Sequence, residues 1–226
     1  MPAEFSVAGY RFGHATVVDS YRLRAGEAPL DLFALRGFGP RDPGATINMS
    51  EFFGTTAQKA LPVGIRMADT LFELPPNIVS KPLTWGDYEI DLDCSRKLAL
   101  RNILRDRTAL HLPSGQQMAR HLGTEIIPAP EALQDHHITK TPLWFYFLQE
   151  AEVFGKGRLT GAGGTVVASV FARLLKYDPE SVLHVPDFKP WSGFGETCTM
   201  ASLMAFVEKH RDEVKDREKL YCGPSH

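Results

Sequence analysis

Apolar positions along this chain recur mostly at helical spacing and seldom alternate. Leu92, Leu98, Leu100, Ile103 and Leu104 mark one face with no breaker between them, which predicts a helix over 90–107. Over 143–154 apolar residues occupy nearly every side, with Trp144, Phe145, Tyr146, Phe147 and Leu148 in a row, so that helix is expected to be central and buried. The patterns over 165–175 and 200–209 predict two further core helices, the second capped by Thr199 or Thr197. The stretch 5–18 is mostly apolar and free of proline, and it too reads as a helix. Ser114 and Gln117 have capping-box spacing ahead of a helix that runs to Leu122 and stops at Gly123.

Shorter pieces fill the rest. Residues 49–53 read as a helical turn capped by Ser50 or Asn48, and 68–74 and 131–135 as further turns. Residues 21–23 and 31–35 read as short strands, and 75–88, with three prolines, as a loop. Charges alternate over 211–219, as in a solvated helix extension. There is no internal repeat and no dividing linker. The expectation is a mainly α chain forming a single domain over 1–226.

Composition narrows the classes. With 43% hydrophobic and 23% charged residues, 226 residues can bury one sizeable core. A net charge of −2 gives no electrostatic case for nucleic-acid binding. No apolar window is long enough for a membrane span, and the N-terminus does not read as a signal peptide. Cys94, Cys198 and Cys222 are scattered and odd in number, which argues against a disulfide framework or a thiolate zinc site. A reducing, cytoplasmic location is expected.

Two segments carry candidate chemistry. The first ends in Arg11-Phe12-Gly13-His14, where Arg11 lies one helical turn before His14, so both point to one face. The second is Leu98-Ala99-Leu100-Arg101-Asn102-Ile103-Leu104-Arg105-Asp106-Arg107, followed by Leu112-Pro113. Together they resemble the proximal side of the animal-type haem peroxidases, the peroxidase–cyclooxygenase superfamily. In that family an Arg-aromatic-Gly-His run carries the iron ligand, and a Leu-x-Asn-x-x-Arg-x-Arg helix leads into a Leu-Pro turn. The resemblance implies haem b as cofactor, with His14 as the metal ligand. It implies Asn102 as acceptor for the proximal imidazole, and Arg11 and Arg105 as partners of the haem propionates. The family often has Asp-His-Gly-Leu-Pro after the Arg pair, whereas here Thr108-Ala109-Leu110-His111 precede Leu112-Pro113. Pro142-Leu143-Trp144-Phe145-Tyr146 and 161–168 also resemble the C-terminal part of bacterial members.

The resemblance covers the C-terminal, proximal half of the family's catalytic unit. The implied fold is a partial haem-peroxidase-like helical fold, and the implied activity is an oxidoreductase using hydrogen peroxide. The family's distal His and Arg lie upstream of the proximal motif. Here 13 residues precede His14; they contain no His, and their only Arg is Arg11. No catalytic residue is therefore assigned, and a second polypeptide, or an upstream region lost by truncation, is expected to supply the distal groups. The alternative is an inactive partial member acting as a haem-binding or helical interaction module. His136-His137 diverge by about 100° if helical and carry no distal role. Gly155 to Gly161 falls short of a dinucleotide pattern, and 161–164 is expected to form a helix-entry loop. Glu89, Asp91 and Asp93 read as a solvated acidic helix start.

Overall fold

The structure is a computed structural model that describes residues 1–34, 46–85, 87–106, 110–194 and 197–213. Helix makes up 48% of the chain and strand 5%, so the class is mainly α. The chain forms two compact units: residues 1–20, 31–34 and 60–184 in one, and 21–30, 35–59 and 185–226 in the other. Neither unit is one continuous segment. Among the described residues no helix is long and apolar enough to cross a membrane.

The first unit is built around α6 (Leu143–Val153), whose Leu143, Trp144, Tyr146, Phe147, Leu148 and Ala151 are all buried. Complete burial of five large apolar side chains contributes on the order of 10 kcal/mol. The N-terminal segment, α4 (Gly115–Leu122) and α7 (Gly161–Tyr177) pack on it. Ser114 and Gln117 form the expected capping box on α4, and Gly123 ends it in the left-handed region at φ 68°. Gly115 lets α4 close on α6: a Cβ there would lie 1.8 Å from Cγ of Tyr146.

Several sequence expectations need correction. The helix expected over 90–107 is broken at Lys97 (φ −82°, ψ 89°) into α2 (Leu92–Arg96) and α3 (Leu98–Leu104), and residue 107 lies outside the described residues. The break re-aims α3, which sequence periodicity does not register. The expected loop over 75–88 ends in an antiparallel hairpin, β3 (Leu83–Trp85) with β4 (Tyr88–Ile90), held where Ser95 Oγ accepts from the Leu83 amide and donates to the Ile90 carbonyl. The expected core helix at 165–175 begins earlier, with Gly161–Gly164 inside its first turn. Only Ala162 and Gly163 of α7 are buried, while Phe171, Leu174, Leu175 and Tyr177 are exposed.

The second unit holds α8 (Met200–Lys209), capped by Thr199, one of the two candidates, and closed reciprocally by Ser202. No α8 residue is buried, so it is not a core helix. Phe206 instead packs edge-on against Trp191 and Phe194. Asn48 caps the turn Met49–Glu51, and Arg22 pairs with the buried Glu51 at 2.7 Å.

Candidate cofactor site

The stretch expected as one α-helix carrying His14 is a π-turn, Glu4–Ala8, followed by a 3₁₀-helix, Gly9–Ala15. In 3₁₀ geometry side chains three apart eclipse, so Arg11 and His14 share a face more strictly than on an α-helix. Gly9 permits the segment to lie close on α7, where a Cβ would stand 3.2 Å from Val167 and 3.3 Å from Val166. From α6, the Trp144 indole donates to the Arg11 carbonyl at 3.2 Å. Both tethers are local consequences of a small residue and a buried indole, and they fix where His14 stands.

His14 Nδ1 lies 3.1 Å from Nδ2 of Asn102, a contact that joins residues 88 apart in the sequence. Asn102 is completely buried on α3. As placed, its NH₂ faces the imidazole, and its Oδ1 has no hydrogen-bond partner among the described residues. A half-turn of the carboxamide exchanges the two groups. Nδ1–H would then donate to Oδ1, fixing the tautomer that leaves Nε2 free for a metal.

Charge gathers around this pair. The His14 pKa is lowered, first by burial and then by Arg11, Arg105 and Arg101. A neutral imidazole at neutral pH follows, which is the form a metal requires. Burial also lowers the Arg11 and Arg101 guanidinium pKa values, with Arg105 adding repulsion to each. Nε of Arg11 and Nε of Arg101 are buried without a hydrogen-bond partner among the described residues. Among the described residues, the carboxylate facing Arg11 and Arg105 is Asp106. It is fully buried, accepts from the Trp144 amide at 2.7 Å, and has its pKa pushed up to about 6 by burial, against the opposing pull of that amide, Arg105 and Arg11.

His14, Arg11, Asn102 and Arg105, the four residues named from the sequence, are therefore brought together. Arg101, Asp106 and Trp144 join them. Arg101 stands four residues before Arg105 on the same helical segment, a spacing that places both on one face and that was readable in the sequence. Asp106 and Trp144 meet across 38 residues, and no local signal announces that contact.

The group fits an anionic ligand with a metal or polar centre. Among the described residues three guanidiniums stand near His14 with one carboxylate, and the buried Nε donors of Arg11 and Arg101 lack acceptors. Beside His14, a Cβ built on Gly13 meets nothing within 4 Å among the described residues, so a flat group can approach the backbone there. Of the remaining candidates, Asp91, Asp93 and Cys94 bring donor atoms within 4.8 Å of one another. Asp91 accepts from the Cys94 amide to cap α2, and Asp93 pairs with Lys97, as a solvated helix start would. Residues 108–109, ahead of the Leu-Pro turn, lie outside the described residues. No protein-family model matches the chain, and no match to it is found among curated proteins.

Proposed function

We propose that this chain binds haem b through His14 and forms the proximal half of a peroxidase-like oxidoreductase that uses hydrogen peroxide. The observation that carries this reading is the contact between His14 and the buried Asn102 within a ring of arginines. Two motifs chosen for their family resemblance meet at hydrogen-bond distance across 88 residues. His14 would ligate iron through Nε2, and Asn102 would hold the ring by accepting from Nδ1–H. Arg11, Arg101 and Arg105 would bind the two propionates, Arg being suited to carboxylates by its fork of donors. Trp144 positions both Arg11 and Asp106 through its indole and its amide. Bound haem would supply the redox chemistry that peroxide reduction needs.

The distal base and cation lie outside these residues, and a second polypeptide or a preceding segment of the same protein is the proposed source. The exposed apolar residues Phe171, Leu174, Leu175 and Tyr177 on α7 support a partner of some kind. The free Cys94 and Cys198 support placement in a reducing, cytoplasmic environment.

The test is a haem titration of the purified chain beside His14→Ala, read by the Soret band. The expected result is a stoichiometric shifted band that the substitution abolishes. A band of equal intensity in both proteins removes His14 as ligand and, with it, the peroxidase reading. Haem bound through His14 with no peroxide turnover, alone or with added partner, would leave a haem-binding module.

A further inference from the structure

A cleft of about 530 Å³ opens in the first unit between α3, α5 (Glu131–Gln134) and the start of α6. That volume lies within the range of small-molecule sites, roughly 300–1,000 Å³. Its walls are Ile103, Leu133, Phe145, Pro130 and Pro142, so its body is apolar. The Thr139 hydroxyl and two further polar side chains, Lys140 and His137, also line it, and among the described residues no acidic residue does. Lys140 and His137 are exposed, and neither side chain has a hydrogen bond or ion pair among the described residues.

His137 adds a second, independent observation. It occupies the left-handed region at φ 59°, where the chain turns at the end of α5. Its amide donates to the Gln134 carbonyl and the Ile138 amide to the Leu133 carbonyl, the pairing that closes a helix with a left-handed residue. Glycine takes that conformation without strain, whereas an imidazole is kept there against it. The kept side chain lines the cleft.

We propose that this cleft is a binding site for a small amphipathic monocarboxylate, its apolar body against Ile103, Leu133 and Phe145 and its carboxylate on Lys140 and His137. Apolar walls supply affinity, and a few placed polar groups fix orientation. An anion is specified because, among the described residues, the polar side chains lining the cleft are a cation, an imidazole and the Thr139 hydroxyl, with no carboxylate to oppose them. The ligand body could be an alkyl chain or an aromatic ring system. Ile103 follows Asn102 on α3 and Phe145 follows Trp144 on α6, so the cleft borders the elements that carry the cofactor site without sharing its polar residues. The proposal does not rest on haem binding and is tested on the full chain without haem.

Decanoate and 2-naphthoate are titrated into the protein and followed by methyl resonances of Ile103 and Leu133, with decanol as the uncharged control. The expected result is a Kd below about 1 mM for at least one acid, with decanol at least about tenfold weaker. Whichever acid binds more tightly identifies an alkyl or an aryl ligand. Lys140→Glu should weaken binding by about tenfold or more, and Ala132→Trp, which fills the mouth, should abolish it. His137→Gly should raise the Tm by relieving the strained backbone while lowering acid affinity, a pairing that a purely structural role for His137 does not produce. No binding of either acid, equal binding of decanol, or unchanged affinity in Lys140→Glu would overturn the proposal.

Discussion

Glu150 and Asp106 are both fully buried carboxylic acids in the first unit, and they are finished in opposite ways. Glu150 sits within α6 and accepts from the amides of Ala162 and Gly163 at 2.8 and 2.9 Å, one oxygen on each. It serves as the N-terminal cap of α7, using the positive end of that helix. Asp106 receives one amide, from Trp144, and its Oδ1 has no hydrogen-bond partner among the described residues. Burial raises the pKa of both. The difference lies in completion. A structural buried acid is closed by its own fold, whereas the Asp106 neighbourhood, with Asn102 Oδ1 and the Nε atoms of Arg11 and Arg101 also left without partners, is closed only on one side. Buried polar groups left open cost free energy, so their retention points to a ligand.

The contrast is broken most directly at Gly161. Its φ is +51°, and a Cβ would stand 2.0 Å from Oε1 of Glu150. Gly161→Ala is expected to cost about 3–5 kcal/mol, combining a strained backbone with an overpacked cap. Denaturant unfolding measures it. A loss below about 1 kcal/mol would mean that Glu150 can move, and that its site is no more closed than that of Asp106.

Asp106 gives the next largest effect, through pH. Its carboxyl is raised from 3.8 to about 6 by burial, so the folded state holds the proton more tightly than the unfolded chain. Its contribution is therefore most favourable below about pH 4, declines as pH rises through 6, and is constant above that. At about 1.4 kcal/mol for each pKa unit, the decline amounts to about 3 kcal/mol. In Asp106→Asn that decline disappears. The stability difference between wild type and variant, measured by denaturation at pH 4 and pH 7.5, should change by about 2–3 kcal/mol in favour of the variant at the higher pH. No change would show that the arginines already neutralise Asp106, and the cluster would count as complete.

Much of this was legible from the sequence, and the remainder was not for identifiable reasons. The capping box at Ser114, the stop at Gly123 and a threonine cap at Thr199 or Thr197 are local, so the residues that encode them are neighbours. The burial of α6 follows from apolar residues on nearly every side. The exposure of α7 did not follow, because periodicity reports that a face is apolar but not what covers it. The break at Lys97 is a backbone turn in a run without proline or glycine, invisible to pattern. At the site, His14, Arg11, Asn102 and Arg105 came from motif resemblance. Arg101 stood in the same motif at helical spacing, and Asp106 acquires meaning only through Trp144.

Asn102 sharpens the comparison from the ligand side. Its amide is the buried group that meets His14, and partners of this kind are typically worth about 10–100-fold in metal affinity. Asn102→Ala should weaken haem binding by that factor and broaden the Soret band, whereas Glu150→Gln, which alters the α7 cap, should lower the Tm without changing the spectrum of the folded protein. Equal spectra for wild type and Asn102→Ala would detach Asn102 from the proposed role of His14.

The smallest effect is also the most discriminating. Arg101 and Arg105 lie on one helical face, and each lowers the His14 pKa, so without a ligand the guanidiniums repel one another and the imidazolium. Removing one of a set of like charges that only stabilises the fold would be destabilising. Removing one kept for an anion should be neutral or favourable until the anion arrives. Arg101→Gln is accordingly expected to leave the ligand-free chain unchanged or more stable by up to about 1 kcal/mol, while lowering haem affinity by about tenfold. Urea unfolding and haem titration of the same preparation read the two quantities together. A variant less stable without haem and unchanged in haem affinity would assign the arginines to architecture, in the same class as Glu150. The opposite pair of results would set the open site apart from the closed one on energetic rather than geometric grounds.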